Sequence, residues 1–469
     1  MKLLLTQPSL DLHKGLPQKV VFSSVPLGIT GIASFINQNN NVEVKIVDSY
    51  LCGHSKEEIL NILKIEEPDV VGISSTTDLI YDTFEYAKIV KDFNVDIKVV
   101  VGGAHACVLP HEIIVNPNID LVCLGEGEYV LNEYLDYLSG KIDIDTIKGV
   151  AYKINENVFF TEKRKPISDI DVLPFPAYHL LNLSEYNYLH HWSGKGKTVA
   201  LMTSRGCCFN CEFCHIPTVQ GRIIRFRSPE NIIKEIRELF NVYGIQNISF
   251  QDSTFLFDKE RVLTLCEMFK EFEGNITWSC SSRVDTVPDI NTLRIMYESG
   301  CKSIFLGVES GNDEIIKRVK NVSKEQVVSA CERLKESGIG IHCSFILGLP
   351  GDSIDTINET ISFAKTLKPD TASFNVAIPY PGTRLHTIFT KRNQVVHEKW
   401  NEYSKSVVID LGPNLAPEQL QELRVKALRS FYLRPSFIFK KLLNIKTFNE
   451  FVIYMKVFWG LVKKKTKFF

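Results

Sequence analysis

Four of the twelve cysteines crowd into one stretch, Ser204-Arg205-Gly206-Cys207-Cys208-Phe209-Asn210-Cys211-Glu212-Phe213-Cys214. Read through Cys207, Cys211 and Cys214, the spacing is Cys-x3-Cys-x2-Cys. Thiolates are soft ligands, suited to zinc or to iron–sulfur centres. A structural zinc normally takes four protein ligands. Three close cysteines with no paired second group suit a four-iron cluster whose fourth iron stays open. The competing reading is a zinc knuckle completed by His215 or Cys208. Cys123, Cys266, Cys331 and Cys343 are isolated in apolar surroundings and read as small core residues.

The elements that must position this stretch follow from the hydrophobic pattern. Strand candidates lie at 198–203, 247–251, 277–281, 303–308, 342–347 and 371–378, with helical patterns between them. Ser228-Pro229-Glu230 opens one helix with an N-cap and a first-turn proline, and Gly244 lies just past its end. Ser323-Lys324-Glu325-Gln326 opens another with a capping box. Six βα units fit a partial (β/α)6 barrel of the triosephosphate-isomerase type, whose chemistry sits at the carboxyl ends of the strands. The cysteines directly follow the first of these strands. Asp252 and Arg283 follow the second and third and are candidates to touch cofactor or substrate, or to form structural ion pairs.

An earlier α/β series has strand candidates at 3–6, 42–48, 69–74, 97–102 and 120–124, and a capping box at Ser55-Lys56-Glu57-Glu58. It predicts a doubly wound, Rossmann-like parallel sheet over residues 1–140, with ligands beyond the carboxyl ends of its strands. Residues 141–195, punctuated by Pro166, Pro174 and Pro176, read as a linker; 196–385 form the barrel and 386–469 a helical C-terminal region. Phe448, Phe451, Val452, Met455, Trp459 and Val462 follow helical spacing ahead of Lys463-Lys464-Lys465. That pattern is read as packing on the barrel, with a peripheral membrane helix as the alternative.

Net charge is -1, which gives no support for a nucleic-acid partner. The N-terminal run Leu3-Leu4-Leu5 is too short for a signal-peptide core, and no stretch has the roughly 18 apolar residues of a membrane span. A cytoplasmic location is expected, where disulfides are disfavoured.

The cysteine stretch, including Phe213 before the third cysteine, resembles the signature of the radical S-adenosylmethionine superfamily. Gly307-Val308-Glu309-Ser310-Gly311, Ser344-Phe345-Ile346-Leu347-Gly348-Leu349-Pro350-Gly351 and Pro379-Tyr380-Pro381-Gly382-Thr383 resemble the ends of its fourth, fifth and sixth strands. The resemblance implies a 4Fe–4S cluster on Cys207, Cys211 and Cys214, with Cys208 not a ligand because many relatives have proline there. It implies S-adenosylmethionine on the open iron, near Phe213, Glu309 and Ser310. Its cleavage to a 5′-deoxyadenosyl radical would need an electron donor such as flavodoxin or ferredoxin.

The first series resembles the cobalamin-binding domains often fused to such barrels. The segments that carry this are Val47-Asp48-Ser49-Tyr50, Gly72-Ile73-Ser74-Ser75-Thr76-Thr77, Val101-Gly102-Gly103-Ala104-His105 and Leu124-Gly125-Glu126-Gly127-Glu128. Asp48, Tyr50, Ser74, Thr77, Gly102, Gly103, His105, Gly125 and Glu126 are the implied cobalamin contacts. Many such domains carry Asp-x-His-x-x-Gly; here Tyr50 stands where the histidine would be. His105 is read as a loop hydrogen-bonder rather than the axial ligand. The whole resembles a cobalamin-dependent radical enzyme acting on a small-molecule or natural-product substrate. The expectation is methyl transfer to an unactivated carbon through methylcobalamin. Alternatives are an oxidative cyclase or ring-rearranging enzyme of the anaerobic porphyrin-cyclase type, and a non-catalytic cobalamin sensor.

Overall fold

The computed structural model describes residues 1–9, 24–186, 196–396, 399–403, 407–412, 415–443 and Met455. The C-terminal pattern from Phe448 onward lies outside the described residues apart from Met455, which is helical. Among the described residues no helix is long and apolar enough to cross a membrane.

The first sheet contains β1 (Lys2–Thr6), β2 (Glu43–Val47), β3 (Val70–Ser74), β4 (Lys98–Gly102), β5 (Leu121–Cys123), β6 (Val150–Ile154) and β7 (Asn157–Phe160) in the order β2-β1-β3-β4-β5-β6-β7. β1 to β5 are parallel, and the apolar runs of β1, β3, β4 and β5 are buried on both faces because helices cover both sides. The order reverses at β1, so the carboxyl ends of β1 and β3 flank the switch point where ligands of such sheets bind. β6 and β7 are antiparallel and extend the sheet into residues read as linker. Their signal was a hairpin: buried Val150-Ala151-Tyr152, then a two-residue turn at Asn155 and Glu156, both at positive φ.

The second sheet is entirely parallel. It runs β8 (Lys197–Leu201), β11 (Ile245–Phe250), β12 (Thr277–Arg283), β13 (Cys301–Glu309), β14 (Gly340–Leu347) and β15 (Thr371–Val376), with β8 and β15 at its edges. This is the expected partial barrel. Trp278, 2% exposed, anchors its core among Phe250, Phe255 and Phe269. Ser228 caps the helix Pro229–Tyr243, and Gly244 ends it in the left-handed conformation. Capping boxes form at Ser55 and at Ser323, as the sequence predicts. Between β8 and β11, β9 (Ser204–Arg205) pairs antiparallel with β10 (Arg225–Phe226) and closes the cysteine loop at its base.

The loop after β14 is held by Asp352. Its carboxylate accepts from the Gly348 and Leu349 N–H groups, both at 2.9 Å, and from the Thr356 hydroxyl at 2.7 Å. Burial nevertheless pushes its carboxyl up to about 6. A raised folded-state pKa favours folding at low pH: the stabilisation is full below the unfolded value near 4 and is lost as pH rises through about 6. Wild type is therefore expected to lose on the order of 2–3 kcal/mol of stability between pH 4 and 7 from this group. Asp352→Asn should lack that component in urea titrations across the same range. Identical slopes for the two proteins would contradict it.

Candidate functional site

The cysteine loop leaves β8 through a polar knot. Asp252, 2% exposed, accepts the Thr203 N–H at 3.1 Å and the hydroxyls of Thr203 and Ser204. Its acceptors are thus engaged by the chain that leads into the loop, which makes it a brace rather than a free contact. Gly206 follows at φ +89; a Cβ there would stand 2.2 Å from the Ile223 carbonyl oxygen. The Gly206 N–H donates to Gln220 Oε1 at 3.1 Å and the Cys207 N–H to the Gly221 carbonyl at 3.1 Å.

Cys207 is buried, Cys211 and Cys214 are half-buried, and Cys208 is exposed. Burial pushes the Cys211 thiol up while Arg283 and Lys320 oppose it, and it pushes Cys214 up to about 11. Arg283 Nη1 stands 2.9 Å from Cys211 Sγ. The same guanidinium lies 3.9 Å over the Phe209 ring, and Asp285 pairs with it at 2.8 Å. Among the described residues no three His, Cys, Asp or Glu side chains form a set drawn together on one metal ion. Thiolates that bind three different irons need not converge in that way. Two cations beside three thiols suit a cluster whose ligands carry negative charge.

Glu309, at the end of β13, has φ +68 and is 5% exposed. Such backbone is costly for a residue with a side chain and concentrates at functional sites. Its carboxylate pairs with Lys320 at 2.7 Å, and both groups influence the Cys211 thiol. Lys320 also donates to the Gly307 carbonyl at 2.6 Å. Ser310 is buried; its hydroxyl accepts the Asn312 N–H at 3.1 Å and so shapes the turn. Phe213 packs on the barrel core.

At the edge of the first sheet, Ser74, Gly102, Gly103, Gly125 and Glu126 line one cavity of about 330 Å³. Its floor includes Leu5, Gly72 and Val100, and Gly28 and Ile32 of the helix Leu27–Asn39 form a side. Ile170, Leu173, Pro174 and Pro176 of the linker and Met202, Arg205 and Arg227 of the barrel complete the wall. Val219 and Gln220 from the cysteine loop also face it. Gly103, φ +97, lets β4 approach β3 closely: a Cβ would stand 2.5 Å from the Ser75 carbonyl oxygen. Gly125, φ +107, has open space where a side chain would go. Thin apolar walls of this kind fit a flat aromatic heterocycle with a polar tail.

The other four candidates lie outside the cavity wall. Thr77 bonds His105 Nδ1 at 3.1 Å. His105 is fully buried, with Nε2 3.6 Å from Glu112 and its ring 5.8 Å from Trp400, whose Nε1 donates to Glu112 at 2.9 Å. This network holds the loop after β4. Asp48 caps a short helix through the Leu51 N–H and accepts the Tyr186 hydroxyl at 2.9 Å. The Tyr50 N–H donates to the Gln7 carbonyl at 2.8 Å, and burial pushes its phenol up, so that it stays protonated.

The two sheet edges are fastened by ions. Glu126 accepts Arg225 at 2.8 Å, Arg205 at 3.0 Å and the Ile167 N–H at 2.6 Å, and Glu128 accepts Arg205 at 2.6 Å. Glu126, an implied cobalamin contact, lines the cavity and also engages its carboxylate between the units. Neither arginine carried a sequence signal for this role.

Comparison with known proteins agrees with the two-unit reading. A model of the Radical SAM superfamily matches residues 201–364, and one of the B12 binding domain matches residues 14–135. The chain is 34% identical over 442 residues to a protein of Pyrococcus horikoshii named uncharacterized methyltransferase PH0819, covering 94% of each. It is 26% identical over 497 residues to the cytidylyl-2-hydroxyethylphosphonate methyltransferase of Streptomyces wedmorensis, covering 92% of this chain and 90% of that one. The fold is similar to the radical S-adenosylmethionine methyltransferase TsrM of Kitasatospora setae, solved with tryptophan and a S-adenosylmethionine analogue. The TM-score is 0.69 at 16% identity, covering 93% of this chain and 90% of that one.

Removing the Glu126 carboxylate strands Arg225, whose side chain is 7% exposed, without its main acceptor. Glu126→Ala is expected to cost about 3–5 kcal/mol, as for other broken buried ion pairs, and Glu126→Gln less. The urea midpoint of the first unfolding transition measures it; a change under about 0.5 kcal/mol would place the fastening elsewhere.

Proposed function

Because the chain belongs to the radical S-adenosylmethionine enzymes that carry a cobalamin-binding unit, we propose that it methylates a carbon of a small molecule that is too unreactive for polar methylation. One observation carries this reading. The cysteine loop of the barrel and the glycine-walled cavity of the first unit share a wall at Val219 and Gln220. Bound there, the cluster and cobalamin supply reductive cleavage of S-adenosylmethionine to a 5′-deoxyadenosyl radical and a carrier for the methyl group.

The chain's own residues bind, orient and shield. Cys207, Cys211 and Cys214 are the cluster ligands, and Cys208 points to solvent. Arg283 and Lys320 hold positive charge against the thiolates. Glu309, fixed by Lys320, and the turn at Ser310 set the floor on which S-adenosylmethionine lies, with Phe213 beside it. Ser74, Gly102, Gly103 and Gly125 receive the nucleotide tail of cobalamin. Thr77 and His105 bond each other and would support that loop from behind rather than ligate the metal of a bound cobalamin. Burial keeps the phenol of Tyr50 protonated, so Tyr50 would be a poor ligand for the cobalt of a bound cobalamin. A flavodoxin or ferredoxin supplies the electron.

Cys207→Ala, Cys211→Ala and Cys214→Ala should each abolish 5′-deoxyadenosine formation after anaerobic reconstitution, and Cys208→Ala should retain iron. Iron kept by Cys207→Ala but lost by Cys208→Ala would shift the ligand register. With its substrate, the enzyme should release S-adenosylhomocysteine alongside 5′-deoxyadenosine; 5′-deoxyadenosine alone would favour cyclisation or rearrangement over methylation. Paramagnetic resonance of the bound cob(II)alamin should lack nitrogen splitting from below. Splitting that disappeared in His105→Ala would make His105 the ligand instead.

A further inference from the structure

The chain changes character at residue 423. From there to residue 469 it carries twelve Lys and Arg against one acid, Glu450, although the net charge of the whole is -1. The described part of this stretch, 423–443, has six basic residues and no acid. It begins within the helix Pro417–Tyr432 and ends with the helix Pro435–Leu443. Three of the six rest on neutral acceptors. Arg424 donates to the Phe374 carbonyl at 3.0 Å, Lys426 to Asn358 Oδ1 at 2.8 Å, and Arg434 to the Phe431 and Lys365 carbonyls at 2.8 and 3.1 Å. These bonds hold the side chains without neutralising their charge. On the neighbouring elements, Glu359 accepts from Asn312, Asp370 accepts the Ile341 N–H, and Asp355 stands in the first turn of the helix Ile354–Leu367.

The last of these helices is anchored on one face only. Phe437 packs against Phe431 and Tyr432 with ring centres 5.7 and 5.1 Å apart, and Lys441 Nζ lies 5.7 Å over its ring. The Tyr432 hydroxyl in turn bonds both the N–H and the carbonyl of Ala372, near the start of β15. The helix therefore sits at the amino ends of the barrel strands, away from the cysteine loop. Phe439, Leu442 and Leu443 follow at helical spacing on the opposite face, 65%, 53% and 70% exposed. Among the described residues every other α-helix exposes at most one large apolar side chain.

We infer that the helix Pro435–Leu443 lays its apolar face in the surface of an anionic lipid bilayer. An amphipathic helix binds there by sinking its apolar side chains to the acyl boundary, and each Lys or Arg held near anionic headgroups adds attraction. Three side chains offer far less than the roughly 800 Å² per partner of a stable protein interface. A bilayer needs no such area, because it takes a shallow helix and responds to charge along the whole basic stretch. The same composition continues in the sequence through Phe448, Phe451 and Trp459 to Lys463-Lys464-Lys465. The exposed face thus favours the second of the two readings of the C-terminal pattern. Docked by the amino ends of its barrel strands, the protein turns the cysteine loop away from the lipid and keeps its site open to a soluble small molecule. The inference is independent of the reaction proposed above.

The test is co-sedimentation of the full chain with vesicles of phosphatidylglycerol and phosphatidylcholine in equal parts, and with vesicles of phosphatidylcholine alone. Wild type should sediment with the anionic vesicles, remain largely in solution with the neutral ones, and be released as salt is raised. Phe439→Ser combined with Leu442→Ser and Leu443→Ser is expected to lower the partition coefficient by roughly ten-fold or more. Lys440→Gln with Lys441→Gln should lower it by about ten-fold on anionic vesicles only. Phe160→Ser, which removes an exposed apolar side chain from the first sheet, should bind as wild type. The triple serine variant should keep the wild-type urea midpoint and its 5′-deoxyadenosine formation. Wild type that stays in solution with anionic vesicles would overturn the inference, as would a triple variant that sediments like wild type. A urea midpoint lowered in the triple variant would show that the chain itself covers the face. A lipid-free wild-type dimer that the triple variant converts to monomer would show that a second copy does, and either result sinks the lipid reading.

Discussion

Glu126 accepts hydrogen bonds from Arg205 and Arg225 across the seam between the two sheets, and the rest of the site depends on that seam. Each sheet binds ligands beyond the carboxyl ends of its strands, so two ligands can meet only if those edges face one another. A purely apolar seam would tolerate sliding. Charge-assisted bonds with fixed directions, made at the first turn after β5 and at both strands of the β9–β10 ribbon, set one orientation. The Tyr186–Asp48 and Trp400–Glu112 bonds add further points on the same seam.

Local patterns in the chain were legible where chemistry is local. The cysteine spacing, the strand-end glycines and the three helix caps each depend on residues a few positions apart, and each stands where the pattern puts it. What escaped depends on partners far away in sequence. The resemblance of residues 124–128 gave Glu126 a cofactor role only; its second role, toward arginines some 80 and 100 residues on, had no local signal. Asp252 read either as a ligand contact or as a structural residue, and the hydroxyls that engage it come from the preceding strand's exit. The β6–β7 hairpin was hidden by the prolines that follow it, although its turn residues are visible in retrospect.

Glu309 shows how the barrel concentrates cost where it is useful. The residue holds left-handed backbone and a buried ion pair, two features that lower stability unless neighbours fix them. Lys320 does so by bonding both the carboxylate and the Gly307 carbonyl. Removing Lys320 would therefore release a loop as well as a charge.

The cavity between the units draws its wall from residues as far apart as Leu5 and Glu235, through the linker at Ile170 to Pro176. Its shape is therefore not inherited with either half. A chimera that joined this first unit to a different barrel would carry the glycines and leave behind Met202, Arg205 and Arg227, and with them one side of the chamber. Recombination of modules, a common route by which multidomain enzymes diversify, is closed to this pair unless the seam travels too. Changes of substrate are then left to side chains that neither wall the cavity nor bridge the edges.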